Sequence, residues 1–181
     1  MDSMKTKSIK IALGGVIAAL SVVLMMTSGV ITSLGYTVPM IAGLLLMVLV
    51  MEFGTRFTFL VYIAVSIISI FILGNKESAI LYISFFGYYP IIKSIFEKKL
   101  KKILCWVCKY IVFNIAMCAF YFITSKILMI SYDDVEFLGK YSLLLLLAAG
   151  NILFLMYDIL LTRLITIYIF KWRKNFKRMF K

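Results

Sequence analysis

The chain has no histidine, and among its 181 residues there are only three cysteines, two prolines and eight acidic side chains. The lack of histidine removes the most frequent general base and a principal metal ligand, which counts against hydrolases and zinc-dependent intramembrane proteases. The cysteines do not make up for it. Cys105 and Cys108 have CxxC spacing, but Trp106 and Val107 lie between them, and Cys118 adds too few ligands for zinc. Apolar packing is their expected role. A phosphate-binding GxxxxGK[ST] loop is also absent. No catalytic residues, metal ligands or bound cofactor are read from this sequence, and an enzyme is not expected. Acidic residues are so few that the formal net charge is +12. The basic residues come in short runs beside hydrophobic segments, which is the pattern of membrane-flanking charge rather than of a nucleic-acid surface.

What the chain has in abundance is apolar surface. Apolar residues make up 64%, charged residues 15%, and mean hydropathy is +1.04. A soluble domain averages roughly 45–50% apolar, and a chain this short cannot bury such an excess in one globule. Lipid must act as solvent for much of it. The longest polar segment, Lys93 to Lys102, is too short for a separate soluble domain, so residues 1–181 read as one integral membrane domain. Six segments suit membrane helices: 9–26, 38–51, 57–73, 78–92, 103–125 and 141–170, of which the second and fourth are short. The expected fold is an all-α polytopic bundle of six transmembrane helices in the lipid bilayer.

Charge gives its orientation. Lys5, Lys7, Lys10, Arg56, the lysines at 93, 98, 99, 101 and 102, and the basic tail from Lys171 to Lys181 all fall on one side. The other side has only Lys76, Lys126 and Lys140, accompanied by Glu77, Asp133, Asp134 and Glu136. This positive-inside bias predicts cytoplasmic termini and a multi-pass protein of a bacterial plasma membrane. Reading the first segment as a cleaved signal peptide would leave five spans and put the basic tail on the wrong side. The tail mixes basic residues with Trp172, Phe176 and Phe180, as suits an anchor on anionic lipid. The acidic stretch SYDDVEF, residues 131–137, lacks the glycine and downstream ligand of a calcium loop and reads as a solvated connection.

No charged residue occurs between Lys10 and Glu52, yet the middle of that run is TSGVITSLGYTVP, residues 27–39, rich in loop formers. With both termini inside, this is an outer loop, and it is too apolar to stand in water without cover. It is expected to fold back as a lid over a pocket; the alternative is an interfacial connector with Tyr36 at the headgroups. Pro39 can open the second helix. On the first helix, KIALGGVIAALS sets Gly14 and Gly15 four residues before Ala18 and Ala19. These small-xxx-small pairs admit close approach of another helix, from a partner or from the same chain.

In this order of features the chain resembles the substrate-binding (S) component of energy-coupling-factor (ECF) vitamin transporters, which have a comparable length, six helices, a small-residue strip on the first helix and a long first outer loop. The resemblance implies that Gly14, Gly15, Ala18 and Ala19 dock on a membrane T subunit driven by two ATPases, so that ATP is used only by partners. It also implies a vitamin pocket built by helices four to six and the first loop. Rod-shape proteins of the MreD type share a similar layout, so a non-transporting membrane scaffold or assembly protein is the competing expectation.

Polar groups inside spans are costly and mark candidate sites. The fourth segment carries FFGYYPIIK, with Tyr88 ahead of a helix-bending Pro90; the fifth has Tyr110, Asn114, Met117 and Tyr121 on one stripe; the sixth has Asn151 and Asp158 on one face. Asn114 and Asn151 come to similar mid-membrane depth. With Tyr36, Tyr88 and Tyr121 they suit a small, flat, largely uncharged heterocycle, although each Asn can instead bond a neighbouring helix. Lys109 and Asp158 come to similar depth nearer the basic side and read as a structural ion pair.

Overall fold

The structure is a computed structural model that describes residues 2–128 and 142–172. The acidic SYDDVEF loop and the tail beyond Trp172 lie outside the described residues. The described residues are helical, and five helical stretches are long and apolar enough to cross a membrane: Lys7–Val30, Thr55–Ile72, Lys76–Lys99, Lys102–Lys126 and Leu147–Lys171. With the shorter apolar helix Thr37–Phe53 they make an all-α polytopic membrane protein. The chain divides into two compact units, Met1–Asp134 and Val135–Lys181.

In the first unit, α1 runs Asp2–Val30, α2 Thr37–Phe53 and α3 Thr55–Ile72. The fourth span consists of α4 (Lys76–Leu81), a π turn over Tyr82–Phe86, and α5 (Tyr89–Lys99). It is followed by α6, Lys102–Ile127. The fourth span is therefore not short: regular helix continues through the polar residues after Ile92 as far as Lys99. In the second unit, α7 (Ser142–Ile167) leads into a π turn at Tyr168–Trp172.

Helix ends follow local chemistry. α2 and α3 are joined through Gly54 alone, at φ 80° and ψ 173°, a conformation reserved for glycine. Thr58 holds the turn by donating its hydroxyl to the Gly54 carbonyl at 3.0 Å. At the opposite end α1 stops where Thr27 and Ser28 donate back to the Leu24 and Met25 carbonyls, each at 2.6 Å. The break predicted over 27–39 is thus shorter. Helix covers residues 27–30 and resumes at Thr37, with Pro39 in the first turn of α2, where its missing N–H costs nothing.

The core of this unit is apolar and lies between α1, α2, α3 and the start of the fourth span, around Met25, Ala42, Leu46, Leu49, Val65 and Tyr82. Gly14 belongs to it: a Cβ there would come 2.7 Å from the Phe57 ring, so the glycine lets α1 and α3 approach closely. One residue on, Gly15 has nothing within 4 Å, and Ala19 is exposed. The small strip therefore divides into a half packed within the chain and a half facing outward.

Candidate functional site

The site begins with a break in a helix. Pro90 has no N–H to give the preceding turn, and the span accommodates this with a π turn in which Gly87 N–H donates to the Tyr82 carbonyl at 2.8 Å. The helix resumes at Tyr89 with Pro90 in its first turn. Interrupted backbone at membrane depth is tolerated where protein buries it or where it lines a cavity. Here α3 supplies the cover: the Tyr62 hydroxyl donates to the Ile83 carbonyl at 2.9 Å.

Tyr62 is the centre of an aromatic group. Its ring lies 6.0 Å from that of Tyr82 and 6.1 Å, edge-on, from that of Tyr88. Gly87 makes room for it, since a Cβ at that position would fall 2.6 Å from two Tyr62 ring carbons and 2.8 Å from Tyr82. Beyond Tyr88, Phe85 stacks on Tyr89 at 4.7 Å and meets Phe113 of α6 edge-on at 5.1 Å. The Tyr82 hydroxyl is fully buried and has no hydrogen-bond partner among the described residues, and the same holds for the hydroxyls of Ser21 and Ser69. Such groups are uncommon, because a buried unmade hydrogen bond costs about 1–3 kcal/mol.

Within the first unit, the predicted site residues Tyr36 and Tyr88 fall at different places. Tyr88 lies in the aromatic group. Tyr36 is at the loop end, where its hydroxyl donates to Glu77 Oε1 at 2.6 Å. It is therefore separated from Tyr88 by about 16 Å, the rise over the eleven residues from Glu77 to Tyr88. Two further bonds pin the same end: Ser78 Oγ to the Gly35 carbonyl at 2.8 Å, and Asn75 Nδ2 to the Ser28 carbonyl at 3.3 Å. The first loop is thus fastened to the start of α4. On α6, Asn114 Nδ2 donates to the Tyr110 carbonyl of its own helix at 2.8 Å, and the Tyr121 ring meets Phe122 at 6.1 Å. In the second unit Asn151 likewise donates to Leu147, at 2.7 Å. The Asp158 carbonyl on that helix accepts from Thr162 Oγ1 at 2.8 Å.

Lys109 has a partner that the sequence reading did not supply. Glu97 Oε1 lies 2.7 Å from Lys109 Nζ and 3.0 Å from Lys93 Nζ, so one carboxylate bridges two buried lysines on α5 and α6. The Lys109 ammonium also sits 5.2 Å from the Trp106 ring centre. The i,i+4 spacing of Lys93 and Glu97 was visible in the sequence, but spacing along one helix does not show which side chains reach across to another.

These features describe a polytopic membrane bundle with an interrupted span and a buried polar group at mid-depth. No family model, curated protein or solved structure matches the chain.

Proposed function

We propose that the protein is a membrane substrate-capture subunit of an ECF-type importer, which binds a small vitamin-like molecule from outside and docks on a T subunit energised by two ATPases. The observation that carries the reading is the broken fourth span, with the Tyr82 hydroxyl beside it, which has no hydrogen-bond partner among the described residues. Transporters commonly build substrate sites from discontinuous membrane helices, where backbone polarity comes free at mid-depth. The tyrosines at 62, 82 and 88 offer flat faces and hydroxyls suited to an uncharged heterocycle. In this reading the first loop, fastened to α4 by Tyr36, serves as the cover on the outer side. The outward half of the small strip, Gly15 and Ala19, offers a partner helix the close approach that docking on a T subunit requires.

The test is thermal unfolding of the purified full chain against a panel of vitamins and nucleobases. A true ligand at a hundredfold its Kd adds about 2.7 kcal/mol to stability. That gain should shrink in Tyr82→Phe, which keeps the ring and removes the hydroxyl. A panel without any stabilising compound would rule the reading out. The open Gly15 face also favours a second reading, a scaffold for other membrane proteins. Co-purification separates them: a T subunit with an ATPase pair supports import, whereas cell-wall or secretion machinery without ATPases supports the scaffold.

A further inference from the structure

At the basic end of the first unit, α3 and the fourth span border an open groove of ≈ 350 Å³. Its walls change character along their length. Thr55 and Arg56 stand at one end, in the first turn of α3; Phe59, Ile92 and Ile95 line the middle; Tyr88 closes the far end. Tyr88 and Ile95 are seven residues apart, about 10 Å along the helix axis. The groove therefore runs from the basic rim toward the centre of the span, polar at the rim and apolar with depth. A water-soluble ligand gains little from such walls. An amphiphile lying in the bilayer matches them, headgroup to rim and chain to depth.

The rim end is also selective for charge. Arg56 is exposed and makes no ion pair or hydrogen bond among the described residues. The carboxylate of α5, Glu97, is held by Lys93 and Lys109 at 3.0 and 2.7 Å, so it does not neutralise Arg56. Lys98 and Lys99, in the last turn of α5, add positive charge to the same rim. α3 begins at Gly54 with no side-chain cap, so its first-turn amides reinforce the preference for an anion already given by Arg56. Arginine is the side chain best shaped to take two oxygens of one phosphate.

We propose that this groove holds one anionic phospholipid, its phosphate on Arg56 and an acyl chain laid along Phe59, Ile92 and Ile95 toward Tyr88. The site shares Tyr88 with the aromatic group of the importer reading, but it needs no partner subunit and its anion-binding rim lies at Arg56, outside that group. A bound lipid would fix the α2–α3 turn against α5 and make this corner of the bundle sensitive to membrane composition.

Native mass spectrometry of the full chain, released from nanodiscs containing equal phosphatidylglycerol and phosphatidylcholine, tests the proposal. One phosphatidylglycerol adduct should survive activation that strips phosphatidylcholine. Arg56→Gln should weaken its retention about fivefold, as expected for one basic contact at an anionic surface. Ile92→Trp, which fills the groove and leaves every charge in place, should also remove the adduct. Lys102→Gln takes away a rim charge outside the groove and should leave it intact. Inorganic phosphate should not displace the lipid. Equal retention of the two lipids, an unchanged adduct in both Arg56→Gln and Ile92→Trp, equal loss in Lys102→Gln, or displacement by phosphate would each overturn the site.

Discussion

Two of the breaks in the first unit's helical ladder, one at its loop end and one in the fourth span, are handled differently. At the loop end, between Val30 and Thr37, the exposed backbone is tied down by short polar side chains and by one tyrosine bonded to Glu77. Water is close at hand, so small local bonds suffice. In the middle of the fourth span, between Tyr82 and Pro90, help comes from another helix, through Tyr62, and the Tyr82 hydroxyl remains without a described partner. A break at the membrane surface is an ordinary loop. A break at depth has to be held open by surrounding structure, and a bundle that needed only to pack would gain from a straight helix there. That contrast is why we assign recognition to the deeper break rather than to the loop.

The most direct way to disturb the deep break is Gly87→Ala. The new Cβ would meet the Tyr62 ring at 2.6 Å, and that ring is held by its bond to Ile83, so it cannot swing aside without losing the bond. Overpacking together with the broken bond should cost about 3 kcal/mol, read as a lower midpoint in denaturation of the purified protein. Tyr62→Phe isolates the second part of this effect. The ring stays and the Ile83 carbonyl loses its donor, for an expected loss of about 2 kcal/mol by the same measurement. If Tyr62→Phe proves neutral, the deep break does not depend on α3 for support.

Much of this fold was legible in composition and spacing. Six apolar segments were apparent, and Pro90 announced that the fourth would be interrupted, because a residue without an N–H cannot continue the ladder in silence. The break over residues 27–39 was placed too broadly: Thr27 and Ser28 favour loops by composition, but here they stay in α1 and bond their hydroxyls back to the Leu24 and Met25 carbonyls. The candidate site was less legible. Tyr88 was picked from its place beside Pro90, but Tyr62 and Tyr82 looked like ordinary apolar-face residues. Their importance rests on Gly87, whose missing side chain lets two aromatic rings close over the backbone. Lys109 was marked as a residue needing a partner, and depth suggested Asp158; the structure adds Glu97 to Lys109 and does not bear on that pairing. Glu97 was passed over because it sits in a polar run that reads as a surface loop, whereas α5 carries it as far as the α6 lysine. Helix extension through polar sequence is a tertiary effect, and hydropathy alone does not reveal it.

The loop end offers the mildest perturbation and sharpens the contrast most. Tyr36→Phe removes a single hydrogen bond to a carboxylate at a position 53% exposed. Solvent can replace that partner, so the global loss should be no more than about 1 kcal/mol. The local consequence should be larger in proportion. With Ser78 and Asn75 still holding Gly35 and Ser28, residues 31–36 should exchange amide hydrogens faster while α2 and α4 keep their protection. Hydrogen exchange followed by mass spectrometry reads both regions in one experiment. Faster exchange confined to the loop makes this end a separately opening element, as a cover must be. If protection instead falls equally across α2, α4 and the π turn, the two breaks open as one unit, and the division drawn between them fails.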